Sequence, residues 1–175
     1  MIEKSEIREY KGYRYITARM PIGHVCGYVE IPEGHYLFGK DYSDPVPELK
    51  PFMDELYESS CGKRSNLSIL AYAFSSKLAY AFSSKEKNQD IYVYIPAPSA
   101  EMFFDVHGSL TFGGCLQFYD EPDIIFEWAM GFDTAHFDDT PRTQTHEFCE
   151  KECRSFIDQL VEMDEKLKGN KEINT

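Results

Sequence analysis

Most apolar residues of this chain fall in short runs broken by glycine and proline, and only near the end do they recur at helical spacing. "YRYITARM" (13–20) is β-branched and aromatic and reads as a strand. "HVCGYVEIP" (24–32) alternates as a second strand, ended by Pro-Glu-Gly. Residues 35–47 read as a loop anchored by aromatics. In 47–60, Leu49, Phe52, Met53 and Leu56 predict a short helix with Pro51 in its first turn. "DIYVYIPAP" (90–98), "EMFFDV" (101–106), "LTFGGCLQFY" (110–119) and "DIIFEWAMGF" (123–132) read as further strands.

From 143 to 169 the period changes. Phe148, Phe156, Leu160, Met163 and Leu167 form an apolar stripe, Thr143 or Thr145 is the cap candidate, and Gly169 is a natural stop. The octapeptide "LAYAFSSK" occurs twice in tandem over 70–85. Its even period presents the same residues to one face of a strand, so it is expected to lengthen a strand or hairpin. The expected organisation is a charged lead-in at 1–10, one α+β domain at 11–169 and a frayed tail at 170–175. Within the domain, a mostly antiparallel sheet is packed by a long C-terminal helix.

Charge narrows the partners. A net charge of −12 disfavours binding to nucleic-acid duplexes. No apolar run reaches the roughly 18 residues of a membrane span, and the charged start does not resemble a secretory signal. A cytoplasmic protein is expected. The five cysteines show no C-x-x-C pair and suggest no disulfide framework. Cys149 and Cys153 are expected as small buried hydrophobes of the final helix.

The candidate chemistry lies in two segments, "DVHGSLTFGG" (105–114) and "GFDTAHFDD" (131–139). Each follows an apolar run and carries histidine and aspartate. If the two meet, His107, Asp133, His136 and Asp139 could ligate a divalent metal and activate water. They could equally hold a polar ligand, with Arg142 supplying positive charge, or serve only as turn caps. Gly113 and Gly114 imply a close backbone approach or a bulge. No nucleophile elbow or phosphate loop is present, and no catalytic residue is assigned. The loop aromatics Tyr36 and Tyr42 either stack a planar base or pin their loop to the core.

Taken together, "HVCGYVEIPEGHYLFGKDY", "DVHGSLTFGG", "GFDTAHFDDTP" and "THEFCEKECRSFIDQL" resemble, in order, motifs of a family of small proteins encoded by phages, prophages and bacteria. The likeness spans roughly residues 20–162. His24, Gly27, Tyr28, His35, His107, Gly108, Asp133, His136 and Asp139 stand at matching positions. Ser109 stands where the family has a second glycine, and Tyr36 where it has proline. The resemblance implies an accessory, anti-defence setting and a nucleotide-derived ligand.

Three readings follow. In the first, a pocket formed by His24, Tyr28, His35, His107, Gly108, Asp133, His136, Asp139 and Arg142 sequesters such a ligand, in a homo-oligomer. In the second, the same loops form a metal-assisted hydrolase or phosphodiesterase. In the third, the acidic helix carrying Glu147, Glu150, Asp158, Glu162 and Asp164 inhibits a host protein.

Overall fold

Strand β3, Tyr13–Arg19, is buried along nearly its whole length, and the reason is that both its faces are covered. The computed structural model describes residues 2–52, 98–137, 139–140 and 142–173. Six strands form one antiparallel sheet: β1 (Glu3–Lys4), β2 (Arg8–Tyr10), β3, β4 (Val25–Glu30), β5 (Phe112–Phe118) and β6 (Glu121–Asp133). Their order is β1-β3-β4-β6-β5, with β2 also pairing β3. A short helix α1 (Ala100–Phe103) precedes β5, and the long helix α2 (His146–Ile173) closes the chain. The class is the α+β arrangement that the pattern predicts. The chain divides into two compact units, Met1–Val46 with Ser99–Thr175, and Pro47–Pro98. Of the second, residues 47–52 and 98 are described; they begin with a 3-10 turn, Pro47–Leu49, followed by the start of a helix at 50–52. The octapeptide repeat, the 90–97 strand and Cys61 lie outside the described residues.

The sheet curls. Lys4, on the β1 edge, reaches Asp120 in the β5–β6 turn at 2.7 Å and lies over the Phe118 ring. Inside the curl, Ile16 and Ala18 of β3 meet Cys26 and Tyr28 of β4, Leu116 and Phe118 of β5, and Phe126 and Ala129 of β6. Alternate residues of β3 face α2: Tyr15 Oη accepts a hydrogen bond from Arg154 Nε, and Thr17 Oγ1 pairs with His146 Nδ1. With layers on both sides, the inner strands lose the in-out alternation of a half-exposed strand.

Helix α2 buries Cys149, Cys153, Phe156, Ile157, Leu160 and Met163 against the sheet. It packs closely over Gly27, where a Cβ would lie 2.8 Å from Cys153 Sγ and, on β6, 2.5 Å from Phe132 Cζ. Both cysteines of the helix are the buried hydrophobes expected. Burial pushes the Cys149 thiol up to about 12 and the Cys26 thiol up to about 11. Thr145 caps the helix: its carbonyl accepts from Cys149 N–H at 3.0 Å and its hydroxyl from Phe148 N–H at 3.3 Å.

Three expectations are corrected. Residues 1–10 are not a free lead-in, because Glu3–Lys4 and Arg8–Tyr10 both pair with β3. Residues 101–106 are not a strand. Their backbone finds partners on α2 instead: Asp105 N–H donates to Gln159 Oε1 and Gln159 Nε2 donates to Asp105 O. Finally, α2 runs through Gly169 to Ile173, into the stretch expected to fray.

Candidate metal centre

Two loops meet at the end of the sheet where α2 begins. The first leads into β5 through a turn of two left-handed residues, Gly108 (φ 70°) and Ser109 (φ 99°). Its start is pinned to α2, since His107 N–H donates to Glu152 Oε2 at 3.0 Å and the His107 ring packs edge-on against Phe148 at 5.2 Å. The second loop leaves β6. Thr134, buried, extends the pairing with β4 through its side chain: Oγ1 accepts from Val25 N–H and donates to Val25 O. A turn follows in which Asp139 N–H donates to His136 O at 3.0 Å.

This turn brings the side chains of His136 and Asp139 together, and the first loop brings His107 to them. His107 Nε2 lies 2.9 Å from both Asp139 oxygens, and His136 Nδ1 lies 2.8 Å from Oδ2. The two imidazole centroids are 5.3 Å apart. Gly108 makes this possible: a Cβ there would be 1.9 Å from His136 Cε1.

Asp139 is the buried member, its side chain 6% exposed against 26% for His107 and 39% for His136. Burial opposes its charge. The hydrogen bonds from His107, His136 and the His136 N–H outweigh that and hold the carboxyl below its ordinary range. One nitrogen from each ring and one Asp139 oxygen lie within 4.8 Å of one another. Ligands at bond lengths of about 2.0–2.2 Å around a tetrahedral ion sit a little over 3 Å apart, so the trio needs only a small adjustment to close on zinc. Two histidines and one carboxylate also suit iron or manganese.

No protein-family model matches the chain, and no curated protein or solved structure is significantly similar to it. The chemistry therefore has to follow from the residues themselves.

The other residues singled out in the sequence take separate places. Asp133 is held away from the trio, one oxygen accepting from Thr111 Oγ1 and the other from Ala135 N–H, both at 2.9 Å. Tyr28 is buried inside the curl, edge-to-face with Phe112 and hydrogen-bonded to Cys26; burial drives its hydroxyl pKa far up. His24 sits in the β3–β4 turn, with Nδ1 buried and without a hydrogen-bond partner among the described residues. His35 accepts from Leu37 N–H at Nδ1 and places Nε2 3.1 Å from Asp164, a carboxylate also bound by Tyr13 Oη at 2.7 Å. Its ring stacks on Tyr36, while Trp128 Nε1 donates to Lys40 O, so this aromatic loop is tied to its own surroundings. Arg142 is exposed. Gly113 gives the close approach expected of it, since a Cβ there would lie 2.8 Å from Tyr42 N, and the β5–β6 register shifts just after Gly114.

Glu152 and Thr134 fix the two loops, and the sequence did not single them out. Glu152 is 45 residues from the backbone group it holds, beyond any local pattern.

Proposed function

We propose that His107, His136 and Asp139 form a divalent-metal site that takes the phosphate of a small nucleotide-derived ligand and hydrolyses its ester. One observation carries this reading: three donor groups from two loops converge at hydrogen-bond distance with both rings partly open to solvent. Three protein ligands leave a position for water or substrate, the pattern of a catalytic rather than a structural site. A metal there would lower the pKa of a bound water, to about 7 for zinc, and supply a counter-charge for phosphate.

The chain's residues do the rest. Asp139 stays ionised and orients both imidazoles. Without metal the inward nitrogens donate to Asp139; to ligate, each ring would instead turn a lone pair inward and carry its proton on the outer nitrogen, His107 Nδ1 or His136 Nε2, neither of which has a protein partner among the described residues. The net charge of −12 favours a cation at this surface, and a bound cation would offset the repulsion of a phosphate.

A second reading, sequestration without turnover, is favoured by Asp133. Both oxygens of this carboxylate, three residues from His136, already accept hydrogen bonds, so it offers no free general base. The acidic-helix inhibitor draws less support, because Glu147, Glu150, Asp158, Glu162 and Asp164 each pair within the chain.

The test is metal analysis of the purified protein, then incubation with bis(p-nitrophenyl) phosphate and with cyclic dinucleotides in added zinc or manganese. Hydrolysis lost in His107→Ala and His136→Ala supports the first reading. Recovery of intact, bound nucleotide supports the second. Absence of metal binding in the wild type removes the metal site.

A further inference from the structure

The turn that gathers His136 and Asp139 leaves Phe137, the residue after His136, open to water. Among the described residues two aromatic rings are fully exposed, Tyr119 in the β5–β6 turn and Phe137, and Phe137 is the one that sits one position from one proposed ligand and two from the other. Most large apolar residues of the sheet and α2 are buried. An aromatic ring left fully in water on a loop whose backbone is fixed by Asp139 hydrogen bonds gains nothing for folding.

A few residues on, the same loop carries Arg142. Lys4, Arg8, Arg14 and Arg19 each sit on a carboxylate, but Arg142 is exposed and makes no ion pair among the described residues. In an acidic chain this puts an exposed guanidinium three residues along the sequence from Asp139.

We infer that Phe137 is the stacking platform for the planar base of the ligand, with Arg142 as a contact for its anionic group, so that the site selects nucleoside phosphates over phosphates without a base. This rests on the metal reading for how the phosphate is held, and it adds the element that sets specificity. Stacking on an aromatic side chain is sequence-tolerant, since every base has a π-face, and guanidinium groups suit phosphate. The platform would therefore discriminate base from no base more strongly than one base from another.

Calorimetric titration of the zinc-loaded full chain with AMP, ribose 5-phosphate and inorganic phosphate tests it. AMP is expected to bind at least fivefold more tightly than ribose 5-phosphate. Phe137→Ala is expected to weaken AMP by between about fivefold and about a hundredfold, with ribose 5-phosphate and zinc affinities unchanged. Phe137→Leu, which keeps an apolar side chain but no ring, should behave like the alanine variant. Arg142→Gln should weaken AMP and ribose 5-phosphate alike.

Equal binding of AMP and ribose 5-phosphate, or an AMP affinity indifferent to Phe137→Ala, overturns the inference. So does a change in sedimentation of the Phe137→Ala variant with unchanged AMP binding, which would make the ring a contact between copies. A zinc titration of the wild type without nucleotide tests the metal site separately. Absence of zinc uptake alongside Phe137-dependent AMP binding would refute the metal reading alone.

Discussion

Gly108 and His136 touch so closely that a Cβ on the glycine would lie 1.9 Å from Cε1 of the imidazole. One loop thus supplies the floor on which the other loop's histidine rests. Gly108→Ala should displace that ring and also strain a backbone held at φ 70°. The expected outcome is at least a tenfold loss of zinc affinity in a chelator competition, with the far-ultraviolet circular dichroism unchanged.

Its neighbour should respond in the opposite direction. Ser109 holds φ 99°, where a side chain is strained, and its hydroxyl gains only a 3.5 Å contact with Glu101 O. Ser109→Gly is expected to raise stability by about 1 kcal/mol in denaturant titration, relief of strain outweighing the added freedom of the unfolded chain.

Asp139 links the site to pH. Its folded-state pKa is depressed, so its stabilising contribution is complete above its unfolded value of about 4 and is lost as pH falls through the folded value. Asp139→Asn should remove that contribution. The stability gap between wild type and variant should therefore be widest above about pH 4 and narrow below it, read from urea titrations across the acid range.

Gly27 tests the packing of α2. A methyl group there meets both Cys153 Sγ and the Phe132 ring under 3 Å, and Cys153 belongs to the helix backbone's own rigid row. Gly27→Ala is expected to cost about 1–3 kcal/mol, measured by thermal or chemical unfolding.

The thiols offer a check without mutation. Of the four described cysteines, Cys115 is exposed and Cys26, Cys149 and Cys153 are buried. In the native protein, iodoacetamide should modify Cys115 among these four, and the other three only on unfolding, as read by peptide mapping.

How much of this was legible in the sequence depended on whether an interaction was local. Strands β3 to β6 follow from their apolar, β-branched and aromatic runs between glycine and proline breaks, and helix α2 from the apolar stripe it buries. Strands β1 and β2 do not show it, since Glu3, Lys4, Arg8 and Glu9 are polar; backbone pairing and pairs such as Arg8–Glu150 hold them. The apolar run at 101–106 suits a strand by composition, and the side chains of α2 supply its backbone partners instead. The meeting of His107 with His136 was foreseeable from two histidines that follow apolar runs. Which aspartate joins them was not. Asp133 and Asp139 flank His136 at equal spacing, and only the turn closed by the Asp139 N–H separates their roles.

The β5–β6 pairing sets Phe112 opposite Gly131, only a few residues from the imidazoles on either strand. A slip of one residue along that ladder would turn each neighbouring side chain to the other face of the sheet. If the trio takes up metal as proposed, that uptake would report correct strand alignment. A misaligned hairpin, however compact, would be recognisable by its failure to hold the ion.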